Sequence, residues 1–344
     1  MDSDDLQLSI RLPNWVGDVV MALPTIQQLL RSGFALHLLG RGWAKDLLAG
    51  LNVPVTPVPK GILAAGRVMR ATGMKHGLLL TNSLSTAISM RMAGMQSVGY
   101  RTDSRSLLMH AALKKPQGLH EVEYFWRLGK AAIDSWGPAS ITWPAVPPAQ
   151  IHLPLSNDHR VAAAKALTMA QIKGPYTLCC PMALGNTQGH SKQWPLFPEF
   201  CQALSEMGRT IVICPGPGEE QECEKFLAHA VVLPGLSLGA YAAILAGAEG
   251  VVANDSGPMH LAAAVGARVL GIFGVGEPSR TRPWGGEFVG GSSGWPNLDK
   301  VLSIFGKMIQ SYRFLPPAVG SKARLTFPAK VSNLSVPRGG SERI

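Results

Sequence analysis

The stretch Leu6-Gln7-Leu8-Ser9-Ile10-Arg11-Leu12-Pro13-Asn14-Trp15-Val16-Gly17-Asp18 opens with apolar and polar side chains in alternation as far as Leu12, the period of a β-strand. Pro13 to Asp18 is turn-like. Beyond it Val19, Val20, Leu23, Ile26 and Leu30 fall at helical spacing, and Pro24 sits inside that helix as an expected kink. Strand, glycine-bearing turn and helix make one α/β unit, and the unit recurs. Further strands are expected at 35–39, 53–58, 76–80 and 97–100, with helices at 44–49, 62–71, 85–93 and 121–133. Such alternation implies a parallel sheet with helices on both faces.

Between 135 and 156 the composition shifts. Pro138, Pro144, Pro147, Pro148 and Pro154 cluster there with few helix formers, which marks a domain boundary. The alternation then restarts, with strands expected at 176–180, 210–214, 251–253 and 269–273 and helices at 161–170, 197–207, 219–229, 238–246 and 258–265. At 344 residues the chain exceeds one compact core. Two α/β domains are expected, 1–150 and 151–314, followed by a basic, poorly ordered tail at 315–344 that carries Lys322, Arg324, Lys330, Arg338 and Arg343 against Glu342.

Apolar residues make up 46% and charged residues 16%, a globular composition rather than a disordered one. The formal charge of +10 favours anionic partners, but no Lys/Arg run of nucleic-acid type occurs, so nucleic acid is not an expected partner. Cys179, Cys180, Cys201, Cys214 and Cys223 form no CxxC pair, and the nine histidines show no HxxxH spacing. Free thiols in a reducing compartment and no zinc site are expected. The acidic N-terminus is unlike a secretory signal, and no apolar run approaches the roughly 20 residues that span a bilayer. The expectation is a cytoplasmic protein without a transmembrane segment, able to touch a membrane surface.

Four junctions follow strands, the edge at which open α/β sheets bind ligands. At Asn14-Trp15-Val16-Gly17-Asp18, Gly17 permits close approach, and Asp18 is either a helix cap or a reacting carboxylate. At Asn254-Asp255-Ser256-Gly257-Pro258-Met259-His260, Ser256 and Gly257 leave amides free at a helix N-terminus that attracts phosphate. Asp255 suits a sugar hydroxyl better than a phosphate, or else caps the helix. In Thr187-Gln188-Gly189-His190-Ser191-Lys192-Gln193-Trp194, Lys192 suits a diphosphate, Thr187 and Ser191 offer hydroxyls, and Trp194 suits a wedge beneath the loop. The alternative is an ordinary surface loop. Cys214-Pro215-Gly216-Pro217-Gly218-Glu219-Glu220 is a tight turn whose carboxylates suit ribose hydroxyls or simply favour the first helical turn. Gly40-Arg41-Gly42 lacks the third glycine of a dinucleotide fingerprint, which disfavours a nicotinamide oxidoreductase.

Taken together the blocks resemble the ADP-heptose:lipopolysaccharide heptosyltransferases of glycosyltransferase family 9, the type II enzymes in particular. Arg11 through Pro24 carries the first block. Val98-Gly99-Tyr100-Arg101, Arg105-Ser106-Leu107-Leu108 and His120-Glu121-Val122-Glu123-Tyr124 follow in the family's order. Lys192-Gln193-Trp194-Pro195, Asn254 to His260, Phe273-Gly274 and Pro278-Ser279-Arg280-Thr281-Arg282-Pro283-Trp284-Gly285 complete it. Met182 departs, standing where the family shows glycine, so the loop up to Lys192 is expected to take its own path.

The resemblance implies an α/β, GT-B fold: two facing Rossmann-like domains with parallel sheets. It implies an inverting transfer that needs no metal or other cofactor, from an ADP-heptose donor to a lipid-linked core oligosaccharide acceptor at the inner membrane surface. By motif position Asp18 would be the general base. Lys192 and the Ser256 and Gly257 amides would hold the leaving diphosphate. Asp255, Met259 and His260 would contact the donor, Asn14 and Gly17 would line the site, and Glu220 would take the adenosine ribose. A different donor or acceptor within the family and a non-catalytic nucleotide-binding module are the rival expectations.

Overall fold

The computed structural model describes residues 6–310, except 184, 185 and 188 and the side chains of 186 and 187. The basic tail and the side chain of Thr187 therefore lie outside the described residues.

The first half runs β1 (Gln7–Arg11), α1 (Val16–Arg31), β2 (Ala35–Gly40), α2 (Trp43–Leu47), β3 (Val55–Pro57), α3 (Ile62–Arg70), β4 (His76–Leu79), α4 (Leu84–Met92), β5 (Gln96–Arg101), β6 (Ala111–Lys114) and α5 (Glu121–Trp136). The second runs α6 (Asn157–Met169), β7 (Tyr176–Cys180), the short strands β8 (Asn186–Thr187) and β9 (His190–Ser191), α7 (Phe197–Glu206), β10 (Thr210–Ile213), β11 (Val231–Val232), α8 (Leu238–Gly247), β12 (Gly250–Asn254), α9 (Gly257–Ala264), β13 (Val269–Phe273), α10 (Pro278–Thr281), β14 (Glu287–Gly290) and α11 (Leu298–Gln310). Each half contains a six-stranded parallel sheet, ordered β3-β2-β1-β4-β5-β6 and β11-β10-β7-β12-β13-β14. The two orders are the same, the doubly wound Rossmann pattern, with the reversal of winding between β1 and β4 and between β7 and β12.

β6, β11 and β14, which the pattern of apolar runs does not reveal, share a physical reason. All lie at sheet edges. An edge strand pairs on one side only and stays half-exposed, so it needs no continuous apolar run. The helix expected at 219–229 is instead a 3-10 turn at Gln221–Phe226. Upstream of it the Glu219 carboxylate accepts from Gly216 N–H at 2.8 Å and that of Glu220 from Gly218 N–H at 2.9 Å, satisfying the backbone by other means. α11 is absent from the expected set although Val301, Phe305, Met308 and Ile309 carry its buried stripe.

One apolar cluster runs from the first sheet through α1, α5, α8 and α9 to the second sheet. It is continuous because α1 has buried residues on nearly every side, Val19, Val20, Leu23, Ile26 and Leu29 among them. The outer face of the first sheet is covered separately by α3 and α4 through Met69, Ala87 and Met90. The proline-rich segment folds back onto the first half: Trp143 packs at a tilt against Trp126 with ring centroids 4.5 Å apart, and Trp126 Nε1 donates to Pro144 O at 2.9 Å. Asp46, next to the end of α2, bridges the halves by accepting from Gly239 N–H at 2.7 Å and Ser237 Oγ at 3.2 Å, at the N-terminus of α8.

Candidate active site

The N-termini of α1 and α9 meet face to face. A Cβ placed on Gly257 would lie 3.5 Å from Gly17 N, and one on Gly17 would lie 2.9 Å from His260 Cδ2. Glycine at both positions is what lets the two backbones approach. The carboxyl ends of β1 and β4 open on one side of this seam, those of β7, β10 and β12 on the other, and a cavity lies on each side.

The larger cavity, about 750 Å³, is lined by Asn14, Trp15 and Asp18 after β1, by Leu80 to Ser83 after β4, by Lys115 to Leu119, by Glu121, Tyr124 and Phe125 of α5, and by Arg280 and Thr281 of α10. It sits at the switch point of the first sheet. Asp18 is the third residue of α1. The preceding residue of the helix boundary is Trp15, which makes no side-chain cap, so the capping alternative for Asp18 does not hold. Burial pushes its carboxyl up to about 6; Glu121 adds to the rise, while Lys192 and Arg280 pull it back. At pH 7 such a group is still about ten to one ionised, and it is a stronger base than an ordinary carboxylate.

The cavity is closed across the halves by α10. Arg280 ion-pairs with Glu121. His120 accepts from Val122 N–H through Nδ1 at 3.2 Å, so its proton sits on Nε2, which donates to Arg282 O at 2.9 Å. Burial lowers the His120 pKa, in keeping with a neutral ring. Trp284 packs on His120 at 4.7 Å between centroids and donates from Nε1 to Pro148 O at 2.8 Å.

The smaller cavity, about 190 Å³, is lined by Trp15, Val16 and Gly17 of the first half and by Cys180 to Met182, Ile213, Cys214, Glu219, Tyr241, Ser256, Gly257 and Pro258 of the second. Trp15, 68% exposed, touches both cavities. Beneath the α9 terminus Lys192 Nζ donates to Asp255 Oδ2 at 2.8 Å. Asn254, fully buried, pins the Lys192 loop by accepting from Trp194 N–H at 3.0 Å and donating to Pro181 O at 2.6 Å. Trp194 is buried under that loop, its Nε1 donating to Pro296 O at 3.0 Å. His260 is buried and its Nδ1 has no partner among the described residues. Burial pushes its pKa down to about 4, so the ring is neutral.

The structure sets several expected residues apart from the two cavities. Met259 is fully buried in the apolar core beneath Gly271, because the helix turns it away from the cavity, and its N–H is spent on Ser256 O at 3.1 Å. Glu220 is exposed and folded onto its own turn; Glu219, one residue earlier, lines the cavity instead. Ser191 is exposed in β9 and accepts from Gln193 N–H at 3.2 Å, outside both cavities. Asp255 is paired with Lys192, and Ser256, not Asp255, stands at the start of α9. Asn82, Tyr124, Glu121, Arg280 and Trp15 were given no role from the sequence. Position after β4 singles out Asn82 and position after β1 singles out Trp15, whereas Tyr124, Glu121 and Arg280 reach the cavity only through tertiary packing. Asn82 Nδ2 donates to the Tyr124 hydroxyl at 2.7 Å. Among the described residues no group of three His, Cys, Asp or Glu side chains converges as a metal site would require.

Two Rossmann-like halves that face each other across apposed ligand edges define the GT-B class of glycosyltransferase. The chain belongs to glycosyltransferase family 9 (heptosyltransferase), whose sequence model matches residues 62–300. It is similar to lipopolysaccharide heptosyltransferase 1 of Pseudomonas aeruginosa, 37% identical over 108 residues, a match that spans 30% of each chain. It is similar to lipopolysaccharide heptosyltransferase 2 of Escherichia coli at 23% identity over 304 residues, 79% of this chain and 83% of that one. The solved structure of E. coli ADP-heptose lps heptosyltransferase II superposes with a TM-score of 0.74 at 20% identity, covering 89% of this chain and 99% of that chain, a likeness of fold. Among the described residues no helix is long and apolar enough to cross a membrane.

Proposed function

We propose that the chain transfers a heptose from ADP-heptose to a lipid-linked inner-core acceptor of lipopolysaccharide, with inversion and without a metal ion, at the inner membrane surface. The observation that carries this function is the placement of the Asp18 carboxyl on the wall of the larger cavity, beside the seam where Gly17 meets the α9 N-terminus of the other half; its raised pKa supports the role. The acceptor occupies the larger cavity. The nucleotide occupies the smaller, with Glu219 in place of Glu220 toward the ribose, and the sugar bridges the seam beside Gly17 and Gly257. Support comes also from the relatives, which are lipopolysaccharide heptosyltransferases by name.

In the reaction the acceptor hydroxyl oxygen attacks the anomeric carbon while its proton passes to Asp18. The bond from that carbon to the diphosphate oxygen breaks, and its electron pair leaves with ADP. One in-line displacement inverts the anomeric centre. Negative charge grows on the diphosphate, which faces the Ser256 and Gly257 amides at the α9 N-terminus. An ammonium has three donors, so the ion pair with Asp255 leaves Lys192 further donors for the diphosphate. The neutral His260 ring, its Nδ1 unpartnered among the described residues, can donate to or accept from a sugar hydroxyl according to its tautomer.

The test is mass spectrometry of products after mixing the protein with ADP-heptose and defined truncated core lipids, with and without excess EDTA. One added heptose per acceptor in both conditions is expected. Transfer to no heptose acceptor would overturn the substrate assignment, and complete, reversible loss in EDTA would overturn the metal-free stabilisation. ADP binding without any transfer would mark a nucleotide-binding module instead.

A further inference from the structure

Charge is distributed unevenly along this chain. Between Asp46 and Glu121 there are nine Lys and Arg residues and a single acid, Asp103, so eight of the chain's ten excess positive charges fall in that one segment. The segment builds β3 to β6 and, over one face of the first sheet, an outer layer of α3, α4 and the 3-10 turn Arg105–Leu108; of its cations Arg67, Arg70 and Arg91 stand exposed on that layer, Arg105 is buried beneath it, and the rest lie in the strands and loops around it. Ser89 Oγ of α4 donates to Ile62 O of α3 at 3.1 Å, and the Arg70 guanidinium donates to Met92 O, so the two helices form one surface.

The outward side of that layer is apolar as well as basic. Leu63 on α3 is 62% exposed, Leu84 and Met92 at the two ends of α4 are each 39% exposed, and Leu107 on the 3-10 turn is 93% exposed. Arg67 and Arg91 stand exposed on the same two helices. Arg and Lys in the last turn of a helix have an ordinary explanation in the helix dipole. That explanation does not account for exposed leucines beside them, nor for the near-absence of acids. An anionic oligosaccharide would satisfy the cations but not the leucines. Apolar side chains ringed by cations suit the interface of a bilayer with anionic headgroups.

The layer also borders the larger cavity: Ser83, which lines it, immediately precedes Leu84, and Lys115 lines it just after β6. We infer that the α3–α4–Leu107 face docks on an anionic lipid bilayer, so that the cavity holding Asp18 opens at the membrane surface. The inference deepens the proposed use of a lipid-linked acceptor and rests on that proposal for its purpose, though not for its physical basis.

The test needs no sugar substrate, so its outcome is separable from that of the transferase assay. The full chain is sedimented with phosphatidylglycerol/phosphatidylethanolamine vesicles and with phosphatidylcholine vesicles at ~0.15 M salt, where the Debye length is about 8 Å. Binding to the anionic vesicles alone is expected. Each basic residue lost at such a surface weakens binding about fivefold, so Arg67→Glu/Arg91→Glu should weaken it at least about 25-fold. Leu107→Ser should weaken it about tenfold or more through lost apolar insertion. Both variants alter exposed side chains and should keep the wild-type unfolding temperature and circular dichroism spectrum. Wild-type protein that stays in the supernatant, or variants that bind as the wild type does, would overturn the inference. So would tight binding to duplex DNA in place of vesicles.

Discussion

Gly17→Ala tests the seam on which the active site depends. On an isolated helix this change is stabilising by about 0.4–1 kcal/mol, because alanine loses less backbone freedom, and Gly17 has no positive φ that would forbid it. In the folded chain the new Cβ would stand 2.9 Å from His260 Cδ2, with Gly257 Cα 3.5 Å away. Carbon atoms pack at about 3.5–4.0 Å, so the ring must retreat by roughly 0.6 Å or more. His260 is 4% exposed and has no space to retreat into. Overpacking of this kind costs about 1–3 kcal/mol, which offsets the helix gain and leaves a net loss of up to about 2.5 kcal/mol. Displacement of the adjoining Asp18 should lower turnover by about tenfold to a hundredfold. Urea unfolding of the wild type, Gly17→Ala, His260→Ala and the double variant closes a thermodynamic cycle. With the ring deleted, Gly17→Ala should become stabilising, a coupling of about 1–3 kcal/mol. If Gly17→Ala costs the same with and without the His260 ring, the two helix termini do not meet as described.

Turnover should rise with pH through an apparent midpoint near 6, since Asp18 must be ionised to accept a proton and burial holds its folded pKa at about 6; Asp18→Asn should remove this limb and most turnover while nucleotide affinity in a calorimetric titration stays within about twofold. Lys192→Ala leaves the Asp255 carboxylate, 7% exposed, without its partner. It should destabilise the second half by about 1–3 kcal/mol in urea and weaken ADP-heptose binding, whereas wild-type kinetics would remove Lys192 from the reaction. Asp46→Ala deletes the carboxylate that caps α8 from the other half and should cost about 1–2 kcal/mol in the same assay. An unchanged midpoint would show that this bridge contributes nothing. Below pH 6.5 the neutral, buried His260 predicts a fall in stability. Its folded pKa of about 4 lies under the unfolded value, so the unfolded state binds the proton first as pH drops between the two. Asp18, whose folded pKa is raised, acts with the opposite sign, so His260→Gln should flatten the acid side of the stability profile.

The doubly wound class is legible in the sequence because central strands of a parallel sheet are buried on both faces and favour continuous apolar runs, as Val251 to Ala253 and Val269 to Phe273 show, and because strands and helices alternate along the chain. Edge strands carry no such demand, and β6, β11 and β14 were invisible for that reason. Junctions after strands were legible too: Asp18, Gly17, Ser256 and Gly257 sit where short-range turn chemistry puts them, at the carboxyl edge of a sheet.

What the sequence alone determined was therefore local: which segments are strands and helices, and which turns face a ligand edge. Which side of a turn each side chain takes is set by long-range packing. It turned Met259 into the core, put Glu219 rather than Glu220 in the cavity, and gave Lys192 to Asp255. It also brought Glu121 and Arg280, 159 residues apart, to the same wall as Asp18. The physical reason is that hydrophobic periodicity and turn preference act over a few residues. The direction of a carboxylate, and the burial that raises its pKa, depend on elements that arrive from the other half of the chain.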